Sequence, residues 1–201
     1  MSAVPLALSM PGWEANDYPA VAKFMSEGVQ RVADGGADFF VCPDNTAHIV
    51  LEQIAGELPL PGLHIADVVC HEIIRHRWKR VGLLGTRWTM TGPVYRSALE
   101  KRELERLVPD EPMRERLNAA IFDELCMGIF NTSTTDVFLG AIEELKSCGA
   151  ECVILGCTEI PPALEYRAHA LGARCVDPTR ALAQACVAWW RRNAASDRVQ
   201  V

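Results

Sequence analysis

Short apolar runs alternate with amphipathic stretches along the whole chain. The runs Asp38–Cys42, Arg80–Leu84 and Glu151–Leu155 have the length and the β-branched or aromatic content of buried strands. The stretch Tyr18–Asp34 repeats apolar residues with a helical period and ends at two glycines, which predicts a helix. Strands and helices that alternate at this pitch predict an α/β protein with parallel sheets covered by helices.

The same periodicity places the remaining elements. We predict further strands over Val4–Ser9, Gly62–Ile65, Leu104–Val108 and Arg174–Val176. We predict further helices over Thr46–Leu58, Ala66–Arg77, Gly92–Arg102, Pro112–Ile129, Thr134–Cys148 and Thr179–Arg191. No low-complexity segment or linker interrupts them, so a division into lobes would have to be compact.

Composition excludes several classes of function. The 201 residues carry a net charge of −6 with scattered lysines and arginines, which argues against a nucleic-acid partner. The apolar runs are too short to span a bilayer, and the N-terminus lacks a basic region and a cleavage site. We therefore expect a cytoplasmic protein that binds no membrane. Its eight cysteines include no C-x-x-C pair, so we expect reduced thiols, most of them in the core.

Two short polar motifs lie about half the chain apart, and each follows a predicted strand. One runs from Pro43 to His48 (Pro-Asp-Asn-Thr-Ala-His), and the other runs from Leu155 to Pro161 (Leu-Gly-Cys-Thr-Glu-Ile-Pro). Ligands of parallel α/β sheets bind where strands end and helices begin. Similar motifs in both halves predict a two-lobed enzyme with one catalytic group from each lobe.

Cys157 is the strongest candidate for chemistry. Gly156 would permit close approach of a ligand, and a helix beginning just after the motif would lower the pKa of the thiol. Such a thiolate can serve as a base or a nucleophile. The alternative interpretation is a buried cysteine at a strand end.

The segment Asp44-Asn45-Thr46 has two compatible interpretations. Asp44 or Asn45 could cap the helix predicted from Thr46. Alternatively, the Asp44 carboxylate could face Cys157 across a cleft, with Asn45 and Thr46 donating to a substrate carboxylate.

A third strand end carries Gly85-Thr86-Arg87-Trp88-Thr89, where Thr86 and Thr89 could bind an anion together with free amide groups. Three such turns together point to a small carboxylate ligand. The His71 and His76 side chains are five residues apart and would not share a helix face, so we expect no metal site there.

These motifs resemble those of the aspartate/glutamate racemase superfamily. Its Pro-Cys-Asn-Thr-Ala-His and Leu-Gly-Cys-Thr-Glu motifs are similar to the segments around Asp44 and Cys157, and its carboxylate-binding turn is similar to Leu83–Thr86 with Thr89. The similarity extends over most of the chain and is greatest to the aspartate racemase and broad-specificity amino-acid racemase branch.

The resemblance implies cofactor-independent racemisation or epimerisation of an acidic or small polar amino acid. Cys157 would be one acid/base and Asp44, which stands where the family has its first cysteine, the other. Asn45, Thr46, Thr86, Thr89 and Thr158 would hold the substrate carboxylate. Because a carboxylate is a weaker base than a thiolate, two alternatives stay open. They are a single-cysteine decarboxylase or isomerase of a dicarboxylate, and an inactive homologue that only binds ligand.

The resemblance also implies an architecture. We expect two similar lobes, residues 1–78 with 179–201 and residues 79–178, with the active site in the cleft between them. Family members open with an additional strand and a glycine-rich loop, so we interpret the strand predicted at Val4 as the family's second and the N-terminus as incomplete. A homodimer is expected from the family alone.

Overall fold

The computed structural model describes residues 1–164, 167, 172 and 174–197. The chain divides into two compact units. Met1–Cys42 and Ala47–His64 form unit 1, while Pro43–Thr46 and Ile65–Val201 form unit 2. The short segment Pro43–Thr46 therefore belongs to the unit that also contains Cys157.

Unit 1 opens with two packed helices, α1 (Leu6–Ala15) and α2 (Tyr18–Asp34). The Asp17 carboxylate caps α2 by accepting a hydrogen bond from the backbone N–H of Ala20 at 3.1 Å. The apolar period of α2 buries one face, as predicted, at Val21, Ala22 and Val29.

The strand predicted over Val4–Ser9 is wrong, because this segment enters α1. Leu6 and Leu8, which alternate as a strand would require, are 42% and 58% exposed. The helix instead turns Ser9 and Trp13, four residues apart, to one side, where both are buried. A helix satisfies its own backbone groups without needing a sheet neighbour.

The rest of unit 1 holds a small parallel sheet. Strand β1 (Phe40–Val41) pairs with β2 (Gly62–Leu63), with Phe40 opposite Gly62. Between them lie α3 (His48–Gln53) and a 3-10 turn over Ala55–Glu57. The predicted helix from Thr46 therefore starts two residues later and breaks before its expected end.

Unit 2 is built on a four-stranded parallel sheet. Its strands are β3 (Arg80–Gly85), β4 (Glu105–Leu107), β5 (Cys152–Gly156) and β6 (Cys175–Val176). Their order is β4-β3-β5-β6, so the two longest strands lie in the middle. Both central strands are almost entirely buried, as continuous apolar runs in parallel sheets are.

The helices of unit 2 cover this sheet. They are α4 (Ile65–Arg75), α5 (Arg87–Thr91), α6 (Pro93–Glu100), α7 (Glu111–Ala119), α8 (Thr132–Ser147), α9 (Ile160–Leu164) and α10 (Pro178–Asp197). The predicted helix over Pro112–Ile129 changes form after α7. It continues as a π turn over Ala120–Glu124 and a 3-10 turn over Leu125–Met127 that ends at Gly128.

A hydrophobic core fills the space between the central strands and helices α7, α8 and α9. It contains, among others, Leu84, Leu117, Ile121, Leu125, Phe138, Ile142 and Ile160. The predicted α/β class with parallel sheets flanked by helices is confirmed. The predicted lobes, residues 1–78 with 179–201 and residues 79–178, stay a prediction. Helices α4 and α10, which this division places in one lobe, pack together and both lie in unit 2. Among the described helices, none combines the length and the hydropathy that crossing a bilayer requires.

Candidate active site

The site lies at the carboxyl ends of β3 and β5, where Gly85 and Gly156 are paired in register. A Cβ atom on Gly85 would lie 2.8 Å from the Gly156 carbonyl oxygen, and one on Gly156 would lie 2.7 Å from the Leu84 carbonyl oxygen. Both added atoms would also come within 3.0 Å of the Thr89 side chain. Glycine at both strand ends therefore allows Thr89 to approach the sheet closely.

Three threonine hydroxyls meet at this point. The Thr46 Oγ1 atom lies 3.1 Å from the Oγ1 atoms of both Thr86 and Thr89, which are 3.2 Å from each other. All three side chains are buried. Thr86 also caps α5 by accepting the Thr89 backbone N–H at 3.3 Å. A hydroxyl can rotate its proton, so this cluster can present donors to a carboxylate.

Tyr95, which no sequence motif indicated, holds Asn45 beside this cluster. The Tyr95 hydroxyl, fully buried on α6, donates to Asn45 Oδ1 at 2.6 Å. Burial raises the pKa of Tyr95 well above its usual range, so the phenol stays a donor. Because the Asn45 oxygen accepts this bond, its amide nitrogen points elsewhere and can donate to a ligand.

Cys157 follows β5 directly and shares one carboxylate with its neighbour. Its Sγ–H donates to Glu159 Oε2 at 2.9 Å, and the Thr158 hydroxyl donates to the same oxygen at 2.6 Å. Thr158 is exposed and is engaged with Glu159, so the structure does not bring it into the hydroxyl cluster of Thr46.

The expected lowering of the Cys157 pKa is wrong. Burial, and then the negative charge of Glu159, raise the pKa of this thiol far above its usual range. The helix that begins after Glu159, α9, does not offset the effect of this adjacent carboxylate on the thiol. Cys157 is therefore a protonated thiol at neutral pH.

Asp44 closes a local turn in the segment that precedes α3. Its Oδ1 atom accepts the Thr46 backbone N–H at 2.8 Å. Asp44 is an exposed residue. This turn orients the Thr46 hydroxyl toward Thr86 and Thr89. Asp44 and Thr46 therefore both contribute to the candidate site.

Cys126 also belongs to this neighbourhood, although the sequence suggested a core position for it. Cys126 lies in the 3-10 turn after the π turn and is exposed. Its pKa is raised by partial burial and then by the charges of Glu159 and Asp44, and Cys126 in turn acts on Cys157. Two carboxylates and two thiols from three chain segments thus lie within electrostatic reach of one another.

Sequence reasoning left out three residues of this site: Tyr95, Cys126 and Glu159. Glu159 had a detectable signal, since it stands two residues after Cys157 in the motif that singled out the thiol. Tyr95 and Cys126 had none, because only the packing of α6 and of the 3-10 turn brings them to the strand ends.

The Asp/Glu/Hydantoin racemase family profile matches residues 4–186. The chain belongs to this family. A likeness at the level of the fold accompanies the match.

Individual relatives agree with this assignment. The chain is 28% identical over 152 residues to the broad specificity amino-acid racemase RacX of Bacillus subtilis, covering 75% of this chain and 64% of RacX. A Yersinia pestis protein of the Asp/Glu racemase type superposes with a TM-score of 0.81 at 32% identity, covering 92% of this chain and 80% of that one. An aspartate racemase homologue from Pyrococcus horikoshii OT3 superposes with a TM-score of 0.72 at 29% identity. The match covers 89% of this chain and 76% of the homologue. The chain therefore spans less than two-thirds of the length of RacX.

Proposed function

We propose that this protein interconverts the enantiomers or epimers of an amino acid by removing and returning the α-proton, without a cofactor. The observation that carries the proposal is the Cys157 thiol, hydrogen-bonded to Glu159 at 2.9 Å. It stands one residue beyond Gly156, whose register partner Gly85 immediately precedes Thr86. A proton-transfer group and a cluster of hydroxyl donors are therefore neighbours at one sheet edge.

The hydroxyl cluster would bind the substrate's α-carboxylate. Removal of the α-proton places negative charge on that carboxylate, and preorganised donors from Thr46, Thr86 and Thr89 stabilise it most when the charge develops. The amide nitrogen of Asn45 would add a further donor. Such stabilisation is needed because the α-carbon is a very weak acid.

The two faces of the α-carbon would be served by unlike groups. Cys157 is held as a thiol and would deliver a proton, while the Asp44 carboxylate would remove one from the opposite face. In the reverse direction Glu159 would accept the Sγ proton and Cys157 would remove the α-proton, while Asp44, protonated from solvent, would return a proton to the opposite face. The asymmetry predicts unequal kcat values for the two enantiomers, with KM differing in proportion because the equilibrium constant of racemisation is one.

The direct test follows the α-proton in deuterated water. We expect L- and D-amino acids to exchange this proton with inversion, seen by NMR together with chiral chromatography. Exchange with retention would mean that Cys157 works alone. Absence of exchange on every amino acid would contradict the proposal and favour a decarboxylase, an isomerase or a protein that only binds ligand.

Substitution of Thr89 tests the carboxylate site. Thr89→Val removes one hydroxyl but keeps the shape, and we expect kcat/KM for α-proton exchange to fall about 10- to 100-fold, the range for one lost polar contact to a charged group. Thr91→Val is the matched control, because its hydroxyl is exposed and bonds the Arg87 carbonyl of the same helix, at 2.8 Å. Equal losses in the two variants would exclude a specific role for the Thr89 hydroxyl.

A further inference from the structure

A cavity of about 320 Å³ lies within unit 1. Its wall is formed by α3, by the 3-10 turn that breaks the helix expected over Thr46–Leu58, and by strands β1 and β2. The lining includes none of the residues placed in the candidate active site. A volume of this size is in the range of pockets that bind small molecules.

Apolar side chains form most of the wall. Gly62 has no side chain, so the Phe40 ring can lie over it; a Cβ atom on Gly62 would come within 2.6 Å of that ring. Phe40, Leu58 and Leu60 pack against the core of unit 1 but are only partly buried, which leaves contact area for another molecule. The larger apolar residues of the wall are Phe40, Leu51, Leu58, Leu60 and Leu63. A molecule that fits this wall is itself apolar over most of its surface.

Three polar side chains complete the lining: His48, Glu52 and His64. The His64 Nε2 atom lies 2.8 Å from Glu52 Oε1, and the His64 ring meets the His48 ring edge-on, with the two centroids 4.5 Å apart. The His48 ring is held in turn, because its Nε2 atom lies 3.1 Å from the Cys42 carbonyl oxygen. The His64 ring is therefore fixed from two sides.

The His64 ring has unused hydrogen-bonding capacity. Both of its nitrogens are buried, and neither forms a hydrogen bond with a residue that the structure describes; Nε2 has the close charged contact with Glu52. That negative charge favours the tautomer with its proton on Nε2, so Nδ1 carries a lone pair. A buried acceptor without a partner is unfavourable, and a ligand that brought a donor to Nδ1 would remove this cost.

Charge narrows the class of ligand further. The described lining of the cavity includes no lysine or arginine that could pair with an anion. The Glu52 carboxylate would repel a second negative charge. Amino acids and dicarboxylates, the ligands expected at the candidate active site, are therefore poor ligands for this cavity.

We propose that the cavity binds a small, uncharged, planar molecule with one N–H or O–H donor, held by apolar contact with Phe40 and the leucines and by a hydrogen bond to His64 Nδ1. This site is additional to the one assigned to racemisation. Its test measures binding, so the result does not depend on whether the protein exchanges an α-proton.

Indole and indene provide the test, because they have nearly the same shape and only indole carries a donor. With the full chain, we expect isothermal titration calorimetry to give a Kd of about 1 mM or lower for indole, as is usual for a ligand of this size. Indene should bind about three- to tenfold more weakly, the scale of one hydrogen bond. In long-range ¹H–¹⁵N NMR spectra, indole and not indene should shift the Nδ1 resonance of His64. Absence of saturable indole binding, or equal affinities for the two compounds, would overturn the proposal.

Three variants locate the binding. His64→Phe keeps a ring and removes the acceptor, so it should weaken indole binding about three- to tenfold and leave indene binding unchanged. Leu58→Trp should fill the cavity and weaken both compounds about tenfold or more. Leu8→Trp is the matched control, because Leu8 is 58% exposed on α1 of the same unit. Thermal unfolding checks each fold, and His64→Phe decides the matter if Leu58→Trp does not fold. Native indole affinity in a folded His64→Phe variant would contradict the proposal.

Discussion

Replacement of Cys157 by alanine is expected to abolish α-proton exchange, a loss of at least about a thousandfold in kcat. The thiol is the group that would deliver or remove the proton on one face of the α-carbon. Its Sγ–H is already directed at Glu159, which could take up the proton when Cys157 acts as a base. Alanine keeps the backbone of the β5 end and removes this proton path.

The loss is measured by deuterium incorporation at the α-carbon, with thermal unfolding as a check on the fold. Cys148→Ala is the control, because this thiol is exposed at the end of α8 and lies outside the hydrogen-bond network of Cys157 and Glu159. We expect the control to exchange at the native rate. Undiminished exchange in a folded Cys157→Ala variant would remove this residue from the mechanism.

Glu159→Gln is expected to lower the pKa of Cys157 while slowing the direction in which Cys157 abstracts the proton. In the native protein, burial and the Glu159 charge hold the pKa of the thiol above that of a free cysteine, so it stays protonated through neutral pH. Without the negative charge, thiolate forms at lower pH. Glutamine nevertheless cannot accept the Sγ proton, and loss of a general base costs about 100-fold or more in kcat.

Two measurements separate these effects. The ultraviolet absorbance of the thiolate should appear at lower pH in Glu159→Gln than in the native protein, and Cys157→Ala identifies the contribution of this thiol. The rates of exchange starting from the L- and the D-enantiomer should then fall unequally. Thr158→Val is the matched control, because it removes the 2.6 Å bond to the same carboxylate but leaves its charge in place. An unchanged titration in Glu159→Gln would contradict the electrostatic role given to Glu159.

Several features follow from the sequence because they depend on local pattern. The continuous apolar runs of β3 and β5 predict buried central strands, since both faces of a parallel sheet are covered. Gly85 and Gly156 stand at strand ends in polar motifs, and this placement predicts close approach of another group. The motif residues Thr46, Thr86 and Thr89 are separated by up to 43 positions, yet the strand-end rule predicts their convergence, and the structure brings them together.

Other features were decided by tertiary structure. The alternating residues from Val4 to Ser9 predict a strand, but this stretch enters α1 because the helix buries Trp13 and needs no sheet partner. The pKa of Cys157 could not be inferred from the motif, since its direction depends on burial and on the orientation of the Glu159 carboxylate. Tyr95 and Cys126 reach the site only through the packing of α6 and of the turn after α7. Residue spacing in the sequence does not predict this packing. The sequence by itself determined the strands, the glycine strand ends and the candidate polar groups. The tertiary structure decided which of those groups lie in contact and which of them are protonated, because those properties depend on distances between segments far apart in the chain.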